Sequence, residues 1–130
     1  MRVSGPRALS LACSLSQIPS FSPRHATLCS LFDATGALID EALVLYFQAP
    51  RSFTGEEVVE FQCHGGMMVA SMVLEALVHQ GARLATPGEF SKRAFLNGRI
   101  DLAEAEAIAH LIEAKSEEAA KILARQMKGE

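Results

Sequence analysis

The chain contains no tryptophan, a single tyrosine and only three cysteines among its 130 residues. Cys13, Cys29 and Cys63 are odd in number and show neither a CxxC pair nor the spacing of a zinc site. This pattern argues against a disulfide framework and is typical of reduced thiols in a cytoplasmic protein. We therefore expect no bound metal.

An excess of basic residues is also lacking, since 12 Lys and Arg are set against 15 Asp and Glu, for a net charge of −3. A domain without a positive field cannot hold a polyanion by charge alone, so we expect no tRNA binding by this chain by itself. No apolar run approaches the roughly 20 residues needed to span a bilayer. The apolar start is interrupted by Gly5 and Pro6 and is followed by no clear signal-peptide cleavage site, so we expect a protein without a membrane segment.

Catalytic signatures are missing as well. The sequence has no GxxxxGK[ST] motif for binding nucleotide phosphates, and it offers no convincing acid–base pair. A chain of this length with 49% hydrophobic residues can bury one core and carry one extension. We expect no catalytic residues, and no enzymatic activity from this chain alone.

Periodicity and turn residues predict an α+β fold with a mixed β-sheet and packed helices. Strands are predicted at residues 1–4, 25–32, 37–47, 56–63 and 82–86, and helices at residues 6–16 and from Gly65-Gly66 to Gly81. The last helix lies between two predicted strands, which favours a right-handed parallel crossover. The continuous apolar run at residues 43–47 predicts a central strand covered on both faces.

Glu60 lies in the middle of a strictly alternating strand. Val59 and Phe61 point to one face, whereas Glu60 shares the other face with Val58 and Gln62. A strand carboxylate is most often simply exposed on an open face. The other interpretation is a hydrogen-bond acceptor that faces a ligand, and the pattern alone leaves both open.

Residues 87–109 predict an elbow between two helices. Asn97 and Gly98 end a short helix, and Asp101 with Glu104 forms a capping-box pattern that starts a long one. The long helix is predicted to run toward Lys128 with an apolar stripe that a domain of this size cannot cover completely. We therefore expect a first domain at residues 1–100, while residues 101–130 are the first helix of a helical domain that is otherwise absent.

Several motifs resemble, in order, those of the MnmE/TrmE family of GTPases that modify the wobble uridine of transfer RNA. They are RVSGP at residues 2–6, SFTGEEVVEFQCHGG at residues 52–66 and ARLATPGEFSKRAFLNGRIDLAEAEAI at residues 82–108. The resemblance implies a fold akin to the folate-binding aminomethyltransferase domains. It also implies that residues 1–100 bind a tetrahydrofolate derivative, such as 5-formyltetrahydrofolate, and form a homodimer, with a further first strand preceding this chain.

The resemblance assigns three cofactor-binding residues, Arg2, Glu60 and Arg99. A carboxylate such as Glu60 can accept paired N–H groups from a pterin edge, whereas Arg2 or Arg99 suits the benzoyl amide or the anionic glutamate tail. Many family members carry Lys at the third position, and Arg keeps its charge but not its geometry. The place of Arg2 beside the chain terminus predicts that it is poorly held.

For the complete protein, the resemblance implies a GTPase that works with a flavin-dependent, MnmG-type partner to form 5-carboxymethylaminomethyl-type uridine at wobble position 34. Potassium and magnesium would belong to the GTPase domain, and tRNA would bind only to the full complex. The alternative is a dimerisation scaffold without a competent folate site. A free-standing aminomethyltransferase-like enzyme is disfavoured, because such enzymes are much larger.

Overall fold

The computed structural model describes the backbone of residues 1–127 and the side chains of residues 1–115. Its elements, in chain order, are β1 (Arg2–Ser4), α1 (Ala8–Ser16), β2 (Thr27–Phe32), β3 (Leu38–Phe47), β4 (Val58–Gln62), α2 (Gly66–His79), α3 (Glu89–Leu96) and α4 (Leu102–Met127). The chain divides into two compact units, Met1–Leu84 and Ala85–Glu130. The first unit contains all four strands with α1 and α2, and the second contains α3 and α4.

The four strands form one sheet in the order β1-β4-β3-β2, and every pair of neighbouring strands is antiparallel. The register pairs Arg2 of β1 with Glu60 of β4, and it pairs Glu60 with Leu45 of β3. Glu60 therefore lies on an interior strand, where its backbone is fixed from both sides.

Helices α1 and α2 supply the apolar side chains that cover one face of this sheet. Ala8, Leu11, Ala12 and Leu15 recur at helical spacing on the buried side of α1, and Val73, Ala76 and Leu77 do so on α2. The strands contribute the alternate residues Cys29, Leu31, Ala42, Val44, Tyr46, Val59 and Phe61. Val59 and Phe61 face the core as their alternation predicts.

The β2–β3 hairpin turns at Asp33. Its Oδ1 accepts hydrogen bonds from the backbone N–H groups of Thr35 at 2.9 Å and Ala37 at 3.0 Å, and from the Thr35 hydroxyl at 2.6 Å. These donors favour the carboxylate, with the Thr35 hydroxyl first among them, and lower the pKa of Asp33. The predicted turn at residues 33–36 is confirmed.

The α+β class is confirmed, but the predicted strand at residues 82–86 and its parallel crossover are wrong. Gly81 takes a φ of +106°, and the N–H of Ala82 donates to the Leu77 carbonyl at 3.1 Å, so this stretch closes the end of α2. Leu84 is exposed, so its side chain does not pack as that of a covered strand would. The sheet is consequently antiparallel rather than mixed, and the parallel pairing found in residues 1–127 is an isolated bridge between Pro23 and Tyr46.

Strand β3 is interior, as predicted, yet its two faces differ. Ala42, Val44 and Tyr46 are buried on the helix-covered face, whereas Leu43 and Leu45 on the other face are half-buried. The expectation of complete cover on both faces is therefore wrong. A continuous apolar run shows that neither face is polar, but it does not show which partner covers each face.

The predicted elbow is confirmed within the second unit. Helix α3 ends at Leu96 with Asn97 as its C-cap, Gly98 takes a φ of +73°, and the N–H of Arg99 donates to the Ala94 carbonyl at 2.8 Å. The N–H of Glu104 donates to Oδ1 of Asp101 at 2.7 Å, and the N–H of Asp101 reaches Oε1 of Glu104 at 3.5 Å. This is the reciprocal arrangement of a capping box. Helix α4 is described as far as Met127, and Lys128 lies outside the described residues.

Among the described residues, no helix combines the length and the apolar character needed to cross a membrane.

Candidate functional site

Two of the three predicted site residues meet on the half-exposed face of the sheet. The Nε and Nη2 atoms of Arg2 lie 3.1 Å and 3.0 Å from Oε1 of Glu60. Both N–H groups therefore converge on the same carboxylate oxygen. Among the described residues, none donates a hydrogen bond to the second oxygen, Oε2, so the pair leaves one strong acceptor open on an otherwise ordered carboxylate.

The backbone around Arg2 is held in place. The terminal amine of Met1 donates to the Phe61 carbonyl at 2.9 Å, and the Phe61 N–H donates back to the Met1 carbonyl at 2.8 Å. The Gly5 N–H then donates to the Glu57 carbonyl at 2.9 Å. The prediction that Arg2 is poorly held is therefore wrong, because ladder hydrogen bonds fix both ends of β1.

An aromatic ring completes this site. The guanidinium carbon of Arg2 lies 4.9 Å from the centroid of the Phe53 ring, within the range of a cation–π contact. Sequence reasoning missed Phe53, because it lies in the β3–β4 loop (residues 48–57) and its contact depends on the register of β1. Its neighbours in the sequence, Ser52 and Thr54, form no pattern that predicts a contact between Phe53 and Arg2.

The β3–β4 loop is fastened by hydroxyl groups next to Phe53. Thr54 is fully buried, and its Oγ1 lies 2.7 Å from the hydroxyl of Ser4 in β1. Ser4 also donates to Oε1 of Glu56 at 2.8 Å, and the buried Ser52 hydroxyl donates to the Glu56 carbonyl. The loop is thereby tied to β1, the strand that carries Arg2.

Glu57 fastens the other end of the same loop. Its carboxylate accepts a hydrogen bond from the Tyr46 hydroxyl and another from the Ala49 N–H at 3.0 Å. Burial, followed by the hydrogen bond and the charge of Glu57, raises the pKa of Tyr46 to about 12. Glu57 thus has a structural role, although it lies only three positions before Glu60.

Apolar side chains lie on the same face of the sheet as Glu60. Leu45 is its cross-strand neighbour, and Leu43 pairs with Gln62 on one side and with Leu28 on the other. Leu28 is 58% exposed, and Leu43 and Leu45 are half-buried. This face can therefore offer an apolar surface beside a hydrogen-bond acceptor, which suits a flat ligand with polar edges.

Arg99 belongs to the second unit, directly after the end of α3. Its guanidinium makes no hydrogen bond or ion pair with the side chains described through residue 115. Nearby, Arg93 donates to Glu89 at 2.7 Å, and a groove of about 210 Å³ runs between α3 and α4, lined by Gly88, Ser91, Lys92, Phe95, Ala105, Glu106 and Ala109. Arg99 is thus an exposed cation at the elbow between α3 and α4.

The cysteines and His64 form no metal site among the described residues. The three cysteines are free thiols, and the described residues contain no group of His, Cys, Asp and Glu side chains that could hold a metal ion. His64 is bound to β3, since its N–H donates to Asp40 at 2.7 Å and its Nδ1 lies 2.7 Å from the Glu41 carbonyl. The hydrogen bond from the His64 N–H lowers the pKa of Asp40.

These features define an α+β domain with one antiparallel sheet, helices on one face and an arginine–carboxylate pair on the other. Residues 1–99 match the family described as GTP-binding protein TrmE N-terminus. The chain belongs to this family, as its motifs predict.

Three similar proteins carry the name tRNA modification GTPase MnmE. Those of a Nitratiruptor species and a Sulfurovum species are 64% and 62% identical to this chain over 130 residues. The protein of Sulfurimonas denitrificans is 63% identical over 129 residues. The matches cover 99–100% of this chain and 29% of each relative, so the chain spans less than a third of their length.

Proposed function

We propose that this chain is the tetrahydrofolate-binding and homodimerisation module of a tRNA modification GTPase. The observation that carries the proposal is the Arg2–Glu60 pair, in which one carboxylate oxygen is held by two N–H groups and the other is open. An ordered carboxylate with an open oxygen can accept a charge-assisted hydrogen bond from the N–H donors at the edge of a pterin ring. The apolar surface of Leu43 and Leu45 suits the faces of that ring.

Arg2 and Arg99 supply the positive charges that folate recognition requires. In this proposal Glu60 binds the pterin, and Arg2 or Arg99 binds the benzoyl amide or the anionic glutamate tail of a one-carbon folate such as 5-formyltetrahydrofolate. Residues 1–100 form the binding and dimerisation domain, and residues 101–130 begin a helical domain.

The activity of the complete protein is proposed from its relatives, which are named tRNA modification GTPases. The bound folate would supply a one-carbon unit for 5-carboxymethylaminomethyl-type modification of uridine 34 in the cytoplasm. A flavin-dependent MnmG-type protein would be the partner in this reaction. GTP hydrolysis with K⁺ and Mg²⁺, as well as tRNA binding, would depend on segments outside this chain.

The first test is calorimetric titration of the chain with 5-formyltetrahydrofolate, comparing the wild type with Glu60→Gln. Loss of a charge-assisted hydrogen bond costs about 1.5–3 kcal/mol, so we expect affinity to fall by about ten- to a hundredfold. Glu75→Gln makes the same change on the exposed side of α2 and should leave affinity unchanged. Equal affinity of the Glu60→Gln variant and the wild type would refute the assignment of Glu60.

A second candidate function is a dimerisation scaffold without a folate site. The half-exposed apolar face that includes Leu28 favours this alternative, because exposed apolar patches mark interaction surfaces. Light scattering on the calorimetry sample separates the two functions. A folded dimer that binds no folate would support the scaffold, whereas saturable binding lost in Glu60→Gln supports the folate module.

A further inference from the structure

Phe53 contributes a neutral aromatic surface to a site whose other members are charged. Its ring lies 4.9 Å from the guanidinium carbon of Arg2, and it remains 37% exposed. We propose that Phe53 is a positioning residue, which holds the Arg2 guanidinium where both N–H groups reach Oε1 of Glu60. This inference rests on the proposed folate site.

The need for such a residue follows from the exposure of the ion pair. The side chains of Arg2 and Glu60 are 38% and 26% exposed. Exposed ion pairs contribute little, because water screens the charges and a long side chain loses entropy when it is held in one geometry. A second contact that limits the rotamers of Arg2 orders this side chain before the ligand binds. Ligand binding then costs less side-chain entropy.

An aromatic face is suited to this task, since it attracts a cation without hydrogen bonding to it. The guanidinium N–H groups point outward in the plane of the group, so its flat face can rest on a ring while its edge contacts a carboxylate. Phe53 therefore supports Arg2 without competing for Glu60. A polar side chain at position 53 would compete for the same N–H groups.

The loop that carries Phe53 fixes the ring relative to β1. The residues on either side of it, Ser52 and Thr54, are both buried, and Thr54 is hydrogen bonded to Ser4 at 2.7 Å. Ser4 lies two residues after Arg2 on the same short strand. The segments that carry the ring and the guanidinium are thus anchored to one strand, which keeps Phe53 within reach of Arg2.

The test compares Phe53→Leu with Phe53→Tyr by titration with 5-formyltetrahydrofolate. Phe53→Leu removes the cation–π contact with Arg2. Loss of such a contact at an exposed site should weaken the affinity for folate by about two- to fivefold. Phe53→Tyr keeps the ring face and should bind like the wild type. Phe32→Leu is the matched control, because Phe32 is half-buried on β2, at the other edge of the sheet.

A second readout does not depend on folate. The proton on Nε of Arg2 is observed by NMR in the ligand-free protein and is assigned from its loss in Arg2→Lys. Loss of the ring current moves its chemical shift in Phe53→Leu whether or not Arg2 moves, so the quantity compared is its exchange rate with water. We expect this exchange to be faster in Phe53→Leu, because the hydrogen bond to Glu60 opens more often, and to stay near the wild-type rate in Phe53→Tyr and Phe32→Leu. Phe53→Met serves in place of Phe53→Leu if the leucine variant does not fold.

The two proposals can fail separately. An unchanged exchange rate of the Arg2 Nε proton in Phe53→Leu overturns the positioning role, whether or not folate binds. Equal weakening in Phe53→Leu and Phe53→Tyr also overturns it, since the ring face is then not the relevant property. Absence of folate binding in the wild type overturns the folate site, and faster exchange of the Arg2 Nε proton in Phe53→Leu then retains Phe53 as the residue that orders the Arg2–Glu60 pair.

Discussion

Glu57 and Glu60 lie three positions apart in one segment, yet their surroundings give them different roles. The Glu57 carboxylate accepts hydrogen bonds from the Tyr46 hydroxyl and the Ala49 N–H, so both bonds fasten the β3–β4 loop. Glu60 contacts Arg2 through one oxygen and leaves the other open. The partners of each carboxylate, rather than its residue type, therefore distinguish a structural group from the one that we propose binds a ligand.

Tyr46 provides a measurable consequence at the scale of a residue, because it is the single tyrosine of a chain without tryptophan. Tyrosinate absorbance in the near ultraviolet therefore reports this hydroxyl alone. We expect it to titrate near pH 12 in the folded protein, owing to burial and to the adjacent Glu57, and near the usual value of about 10 after denaturation.

The sign of the effect on stability follows from the raised pKa. The folded state holds the proton more tightly than the unfolded state, so the stabilisation is complete below about pH 10 and is lost as pH rises toward about 12. In Glu57→Gln the titration midpoint should fall but stay above that of the denatured chain, because burial is the largest cause of the shift. A folded protein that titrates near pH 10 would contradict this account.

At the scale of secondary structure, local sequence patterns predicted most helices and strands. They failed where contacts with distant parts of the chain determine the conformation. The Asp33 turn and the Asp101–Glu104 capping box form from side chains within a few residues of each other, so the sequence specifies them directly. The segment at residues 82–86 is as apolar as many strands, but no strand within residues 1–127 pairs with it. Pairing across the sheet is a non-local property that a residue pattern does not contain.

The same limit applies to the candidate site. Glu60 could be placed on a face of its strand by alternation alone, and the family motifs pointed to Arg2. Their direct contact requires the antiparallel register of β1 and β4, and the contact with Phe53 requires in addition the path of the β3–β4 loop. Sequence therefore predicted the charged members of the site but neither their pairing nor the aromatic residue beside them.

Gly98 allows a test of the elbow between α3 and α4. It takes a φ of +73°, and a Cβ there would meet no atom within 4 Å, so Gly98→Ala changes backbone strain without a clash. We expect a cost of about 1 kcal/mol and about fivefold faster amide exchange at Arg99, whose N–H bonds to Ala94. Gly98→Asn should cost less, since Asn tolerates this conformation better.

Gly36 provides the control for this prediction. It has a φ of +85° with equally open space, but it lies in the β2–β3 turn. Gly36→Ala should therefore destabilise the hairpin and leave exchange at Arg99 unchanged. Equal effects of the two substitutions on Arg99 would show that the exchange reports global opening rather than the local end of α3.

At the scale of the whole molecule, the apolar core belongs to one unit. Every residue of the buried core cluster lies between Ala8 and Leu77, and the partly buried residues packed against it extend only from Val3 to Ala82. This range matches the compact unit Met1–Leu84. Among the side chains described through residue 115, those of the second unit, which contains α3 and α4, are not part of that cluster.

A chain of residues 1–84 should therefore fold alone, because it keeps the entire core cluster together with the four strands and both covering helices. A domain of this size is only marginally stable, yet it should unfold cooperatively in urea, followed by circular dichroism. Val73 is fully buried, so Val73→Ala should lower the free energy of unfolding by about 2 kcal/mol if the core is natively packed. Gradual unfolding that is insensitive to Val73→Ala would contradict this prediction. It would mean that contacts within residues 1–84 do not suffice to specify the fold and that residues 85–130 are needed to order the core.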